Sequence, residues 1–261
     1  MLLWTLIRHR SSDSYRDNYF FFFILPAFLL AKNLMLSADY MTIGWSMAMG
    51  LFRMAFLVML ERTLATFMKG VFQVAIPRNA ILDNAIKFLG LTLVLESFMP
   101  LMLSAWIALS LAILLLARFF LWKPQVAMRR LDIAVMYLGY LAIITQLLIH
   151  FAGWAFQPVW VGAVSMHVFT FGAMGIIIPA MLIRISKGHT GRRVIFDSLD
   201  KLALRIMLLG FVARIVAPQI YPAAYAEWIY LSAACWFACF TILAWRYIPF
   251  LAQPRVDGKE H

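Results

Sequence analysis

Charged residues are scarce in this chain of 261 residues: they make up 13% of it, whereas a soluble globular protein usually has about a quarter. Hydrophobic residues make up 64%, and the mean hydropathy is +0.84. This balance excludes an ordinary soluble domain and indicates an integral membrane protein. Cysteine is scarce too. Cys235 and Cys239 lie together in an apolar run, which does not indicate a disulfide framework.

Motifs of well-known enzyme classes are also missing. The chain has no phosphate-binding glycine loop, no His-Glu-x-x-His zinc motif and no convincing serine–histidine–aspartate order. Residues 1–19 have a short apolar start followed by a polar, basic stretch, which is not the pattern of a cleavable signal peptide. The sequence therefore assigns no reaction to this protein.

Long apolar runs are what the sequence has in abundance. A helix that crosses a bilayer needs roughly 20 mostly apolar residues, and eight runs approach that length. We predict an all-α, polytopic bundle that forms one integral-membrane domain over residues 1–261. Pro100 interrupts the apolar stretch 84–121, and because proline disfavours helix at the preceding residue, we expect a tight helical hairpin there. The predicted spans are 20–38, 41–60, 84–99, 101–121, 132–151, 158–184, 199–217 and 225–248.

The basic residues lie on one side of this predicted topology. All lysines and arginines except Lys32, Arg53 and Arg214 fall in inner segments, if the N-terminus is inside. Positive charge marks cytoplasmic loops, so both termini are expected to be cytoplasmic. The net charge of +11 then reflects topology and attraction to anionic lipid, and not nucleic-acid binding. The outer turns without basic residues lie near 39–40, 97–100, 152–157 and 218–224.

The three cations outside the inner segments lie within predicted spans, where charge is costly and normally faces a partner or the bundle interior. We expect Arg214 to pair, or to share a polar cluster, with Glu227 beside the last outer turn. Lys32 and Glu96 should lie at similar depths, whereas Arg53 is nearest to mid-depth and has no obvious partner. Internal pairing or snorkelling is the simpler interpretation, and a polar pathway or an anion site is the alternative.

A histidine lies within one of the most apolar stretches, "MHVFTFGAMG" (residues 166–175). His167 is about eight residues into the sixth predicted span, or roughly 12 Å below its outer end. A neutral imidazole at that depth needs a partner for its N–H. That partner is a threonine hydroxyl or a carbonyl on the simpler interpretation, and the alternative is a metal or haem ligand. Because an N–H pointed at lipid would be unsatisfied, we expect the ring to face the bundle interior.

A second histidine follows in the loop "RISKGHTGRR" (residues 184–193). Gly188 is expected to end the helix because glycine tolerates a positive φ, and Gly191 permits a second turn. His189 and Thr190 lie between these glycines. The loop is either solvated and in contact with lipid phosphate, or folded back onto the bundle.

Three segments together resemble a known family. They are "SYRDNYFFFF" (residues 14–23), "HVFTFGAMGIIIPAMLIRISKGHTGR" (residues 167–192) and "WRYIPFLAQPRVDGKEH" (residues 245–261). Each is similar to a motif of the NnrS family, and the later two occur in the expected order. The resemblance implies a bacterial inner-membrane protein that contains haem and copper. It also implies a link to the response to nitric oxide and nitrosative stress.

The resemblance also implies a set of site residues. His167 is the first candidate for a metal or haem ligand, and His189 is the second. Arg184 and Arg192 are candidates for holding anionic groups such as haem propionates. The remaining motif positions in the loop are Gly188, Thr190 and Gly191.

The chain departs from the family pattern in one respect that affects these residues. Family members usually have more spans, and their first part carries a Trp-His-x-His-Glu motif that has no match here. We therefore expect the site at His167 to be incomplete, to bind haem weakly in this chain alone, and to be completed by a separate chain. The alternative is a cofactor-free membrane structural or transport subunit in which the histidines only brace helices.

Overall fold

The computed structural model describes residues 20–258, which form a bundle of helices joined by short loops. No strand occurs within this range, so the predicted all-α class is confirmed. Short elements lie between the long helices, including the 3-10 segment Leu93–Phe98. The long helices are α1 Phe20–Met35, α2 Met41–Phe72, α3 Ala80–Thr92, α4 Leu101–Leu121, α5 Leu131–Ala155, α6 Val164–His189, α7 Ser198–Ile215 and α8 Tyr225–Leu251.

Six helices of the described range are long and apolar enough to cross a membrane, so a multi-pass membrane protein is supported but the count of eight is not confirmed. The helix α1 has 16 residues, which is about 24 Å against a hydrocarbon core of about 30 Å. The helix α3 has 13 residues and carries buried Asp83 and Lys87. The orientation with both termini cytoplasmic stays a prediction. The six helices are Met41–Phe72, Leu101–Leu121, Leu131–Ala155, Val164–His189, Ser198–Ile220 and Pro222–Leu251.

The predicted hairpin at Pro100 is confirmed. After the 3-10 segment, Met99 is extended (φ −120°, ψ 157°) and α4 begins at Leu101. Pro100 sits at the N-cap of α4, where its missing N–H removes no helical hydrogen bond. The hairpin carries Glu96, in the 3-10 segment, to the side of α2.

The helix α2 is longer than the predicted span 41–60. It has 32 residues, or about 48 Å, and ends at Phe72, before Gln73, whose φ is +55°. The predicted span stopped at residue 60, directly before Glu61. In the structure Glu61 is only 3% exposed and contacts three cations from other parts of the chain. Its charge is therefore neutralised inside the bundle, and the helix continues past it.

Successive helices alternate in direction, which gives the bundle two ends. The loops 73–79, 122–130 and 190–197 lie at one end with residues 252–258, and we call it the basic end. The turns 36–40, 99–100, 156–163 and 216–224 lie at the other, which we call the opposite end. The helix α5 is central: 67% of its apolar stretch is buried within the bundle, against 22% for α8.

The helix α6 differs from its prediction at both ends. It runs from Val164 to His189 with a wider π-helical segment at Val168–Met174, instead of spanning 158–184. Gly188 does not end it, so that prediction was wrong. Gly191 takes the positive φ (+75°), and Arg192 N–H bonds the Lys187 carbonyl at 2.9 Å. The helix reaches this far because Thr190 Oγ1 donates to the Ser186 carbonyl at 2.7 Å and so continues the last turn.

Candidate functional site

His167 lies near the opposite end, in a groove between α6, α7 and α8. Its Nε2 is 2.7 Å from Nη2 of Arg214. A guanidinium can only donate, so Nε2 accepts and the imidazole is neutral with its proton on Nδ1. The groove has a volume of about 260 Å³ and is otherwise lined by α6 and α8. The ring therefore contacts other helices, but it is half-buried in a groove at the surface of the bundle, where Phe237 is 67% exposed, and does not face the bundle interior as expected.

The hydrogen-bond partner of His167 is neither a threonine hydroxyl nor a carbonyl, which were the two partners expected from the sequence. Thr170 Oγ1 donates to the Met166 carbonyl at 3.1 Å, so its hydroxyl is used within its own helix. Arg214 was predicted to pair or cluster with Glu227, and this was wrong. Glu227 is exposed in the first turn of α8, while Arg214 points along the groove toward His167. Arg214 thus donates to a neutral imidazole and not to a carboxylate.

Arg184 and His189 share a second cavity, at the basic end. This cleft has a volume of about 470 Å³, and Gly188, Phe67 and Arg255 also line it. Arg184 Nη1 donates to Asp132 Oδ2 at 2.8 Å. Its guanidinium carbon lies 3.7 Å from the centroid of the Phe67 ring. The structure therefore brings two of the predicted site residues together, on α6.

The C-terminal segment packs on the loop that follows α6. Val256 N–H donates to the Thr190 carbonyl at 3.1 Å, and Arg255 Nη1 donates to the His189 carbonyl at 3.1 Å. A Cβ placed on Gly191 would lie 2.7 Å from the Asp257 carboxyl carbon. The loop is thus folded back onto the bundle, which was one of the two interpretations of its sequence. The two later motif segments meet here in space.

The predicted site residues do not form one site. His167 and His189 lie 22 positions apart on one helix, which is roughly 33 Å at 1.5 Å per residue. Arg192 is separate again, because its guanidinium carbon lies 4.0 Å over the Phe250 ring and does not line the cleft. His167 and Arg184 therefore line two different cavities.

A buried ion-pair network lies beside the cleft, and it was not predicted from the sequence. Lys187 Nζ lies 2.5 Å from Asp200 Oδ2, and Tyr247 donates to the same carboxylate at 2.5 Å. Asp197 caps α7 and contacts Lys187 and Arg246. Burial raises the pKa of Asp197, but the Asp200 backbone N–H and the two cations outweigh it and hold that pKa below its usual range. The Asp-x-x-Asp spacing of a capping box was the available signal.

Arg53 has partners that the sequence did not reveal. Its Nη1 donates to Gln146 Oε1 at 3.0 Å, and its Nη2 lies 3.8 Å from Glu96 Oε2. Lys32, placed by its depth near Glu96, is exposed. The sequence did contain one indication of a polar face on α5, because Gln146 and His150 are four residues apart and so lie on the same side.

Comparison with known proteins decides the family. A family model described as "NnrS protein" matches residues 1–255. The chain belongs to the NnrS family. The resemblance drawn from the three motif segments is therefore confirmed. Neither a curated protein nor a solved structure matches the chain significantly.

The NnrS family is associated with haem and copper, and the described residues can be tested against both. No group of three or more His, Cys, Asp or Glu side chains within residues 20–258 could hold a metal ion. At His167, Arg214 stands where a metal bound to Nε2 would lie. The groove is also smaller than the roughly 300–1,000 Å³ usual for ligand pockets. As arranged, these residues alone do not fit a haem or a copper ion.

Proposed function

We propose that this NnrS-family chain acts in the response to nitric oxide and nitrosative stress in a bacterial inner membrane. The family match over residues 1–255 and the six membrane-length helices support this proposal. We further propose that the chain associates with haem or copper through His167. The observation that carries this step is the neutral imidazole within a membrane-length helix, because a metal requires the neutral form of histidine.

His167 needs further groups before it can hold a metal. Arg214 has to leave Nε2, and other ligands have to come from outside residues 20–258. A separate chain that carries the paired-histidine motif of the family would supply them. Arg184 and His189 would then hold anionic groups at the basic end, apart from the metal, while Arg192 braces the neighbouring loop through Phe250.

The test is the haem and metal content of the purified chain after expression with ample haem and copper. We expect low iron and copper per chain for the chain alone. Co-expression with a partner bearing the paired-histidine motif should raise this content and produce a Soret band. The His167→Ala variant should abolish the gain, and His150→Ala, a matched histidine of α5, should keep it. Equal content in wild type and His167→Ala would contradict the role of His167.

A second candidate is a cofactor-free structural or transport subunit. The contact of His167 with Arg214 favours it, since there the histidine braces α6 against α7. His150 similarly lies 3.4 Å from Ser104 Oγ, across α4 and α5. If the protein stays colourless and free of metal with the partner present, while deletion of its gene still sensitises cells to a nitric oxide donor, this candidate is favoured.

A further inference from the structure

A pocket at the basic end lies outside the sites considered so far. It has a volume of about 280 Å³ and lies where the loops 122–130 and 190–197 meet the first turns of α5 and α7. We call it the loop pocket. The charged side chains that line it are Arg129, Arg130, Asp132 and Lys201. Three cations thus share the pocket with one carboxylate.

The carboxylate of the loop pocket is already neutralised. Asp132 is buried, and Arg130 donates to both of its oxygens, from Nε and from Nη2, at 3.0 Å each. Arg184, which does not line the loop pocket, also donates to Asp132, at 2.8 Å. Two arginines therefore hold one carboxylate. The positive charges of Arg129 and Lys201 are left without a counter-charge in the pocket.

The remaining donors of the three cations are open to a ligand. Arg129 and Lys201 are exposed, and neither side chain has a hydrogen bond or an ion pair with another described residue. The side chain of Arg130 is 37% exposed. Its Nε and Nη2 bind Asp132 and the Val194 carbonyl, whereas its Nη1 is neither hydrogen-bonded nor buried. An anion can therefore reach all three cations from the surface of the bundle.

The loop pocket also lies where a membrane-length helix ends. The helix α5 has 25 residues, or about 38 Å, which is more than the hydrocarbon core of about 30 Å but less than the about 40–45 Å of a bilayer with its headgroups. Its first turn is therefore expected at the depth of the lipid headgroups. Ile195 lines the same pocket and is 58% exposed. Cations beside an exposed apolar side chain suit an amphipathic anion better than a soluble one.

We propose that the loop pocket binds the phosphate of an anionic phospholipid. Arg129, Lys201 and Nη1 of Arg130 donate to the phosphate oxygens, and Ile195 contacts the apolar part of the lipid. The volume of about 280 Å³ is about nine times the roughly 30 Å³ that a water molecule occupies in the liquid, so a phosphate group fits. The positive end of α5, which has no side-chain cap, adds to the attraction. This inference does not depend on a metal or haem at His167.

The experiment titrates the purified full-length protein, in a non-ionic detergent at constant pH and ionic strength, with dihexanoylphosphatidylglycerol. The rise of the thermal unfolding midpoint reports binding. We expect a saturable rise in wild type. The half-saturation concentration should be about fivefold higher in Arg129→Gln and in Lys201→Gln, and about twentyfold higher in the double variant. Lys123→Gln, which removes an exposed cation of the same end that does not line the pocket, is the matched control and should behave as wild type.

Other results would overturn the proposal. Equal stabilisation by dihexanoylphosphatidylcholine, which has no net charge, would mean that the charge of the headgroup is not recognised. A loss in Lys123→Gln as large as that in Lys201→Gln would mean that the attraction is spread over the whole basic end. If inorganic phosphate at the same concentration stabilises the protein as much as the lipid does, the ligand is a soluble phosphate. An unchanged half-saturation concentration in the double variant would place the lipid elsewhere. Arg129 and Lys201 have no side-chain partner among the described residues, so these variants should fold as wild type does.

Discussion

The two ends of the bundle treat buried charge differently. At the basic end, Glu61 contacts Arg78, Lys87 and Arg118 at 2.6–3.2 Å, and Asp132 contacts two arginines. At the opposite end, Glu96 has a cation only at 3.8 Å, and Arg214 has a neutral histidine as its partner. Carboxylates at the basic end are thus saturated with cations and hold helices together. At the opposite end, neither Arg53 nor Arg214 has a carboxylate within hydrogen-bond distance among the described residues.

The largest effect should follow from removing a cation of the basic end. Arg118 is 1% exposed and contacts Glu61, Asp83 and Tyr140. Arg118→Met leaves two buried carboxylates with too little positive charge, which should cost about 3–5 kcal/mol of stability. The measurement is unfolding of the purified protein in detergent. Lys123→Met, which removes an exposed cation of the adjoining loop, is the control and should change stability little. Equal losses in both variants would erase the distinction between the two ends.

A second effect should separate two glycines of one loop. Gly191 has φ +75° and would place a Cβ 2.7 Å from the Asp257 carboxyl carbon, so Gly191→Ala should cost about 1–2 kcal/mol. Gly188 is helical, and its Cβ would meet its nearest neighbour only at 4.0 Å. Gly188→Ala should therefore stabilise the protein by about 0.5–1 kcal/mol. Thermal unfolding of both variants checks this, and destabilisation by both would contradict the helix end described above.

These examples show how far the sequence predicted the molecule. Apolar runs and Pro100 predicted the helical class and the hairpin, because both depend on residues close together in the chain. The ion pairs were missed because they join residues far apart, such as Glu61 and Arg118, 57 positions apart. Depth along a span placed Lys32 near Glu96, but depth does not define which side of a helix a residue faces. The family motifs were recognised, yet only the structure separates His167 from His189.

A smaller effect is expected at the opposite end, where Arg214 has no carboxylate partner. Arg214→Met removes a half-buried cation together with its hydrogen bond to His167, and it leaves a neutral imidazole behind. No buried charge loses its counter-charge, so the loss of stability should be about 0.5–1.5 kcal/mol. Thermal unfolding beside Arg118→Met gives a direct comparison of the two ends. A loss as large as that of Arg118→Met would mean that the opposite end is as dependent on its charges as the basic end.

The smallest effect concerns how the stability of the protein depends on pH, and it comes from Asp197 at the basic end. The folded pKa of Asp197 lies below the ordinary value of 3.8, so its ionised form stabilises the fold. This contribution is fully present above the unfolded pKa and is lost as the pH falls through the folded one. Asp197→Asn keeps a side chain that can cap α7 but removes the charge facing Lys187 and Arg246. Because Asp197 is 40% exposed, the loss near neutral pH should be only a few tenths of a kcal/mol. Thermal unfolding of both proteins between pH 3 and pH 7 measures it, and the two curves should converge toward the acid end. A gap that is constant or widens as the pH falls would show that Asp197 acts through its shape and not its charge.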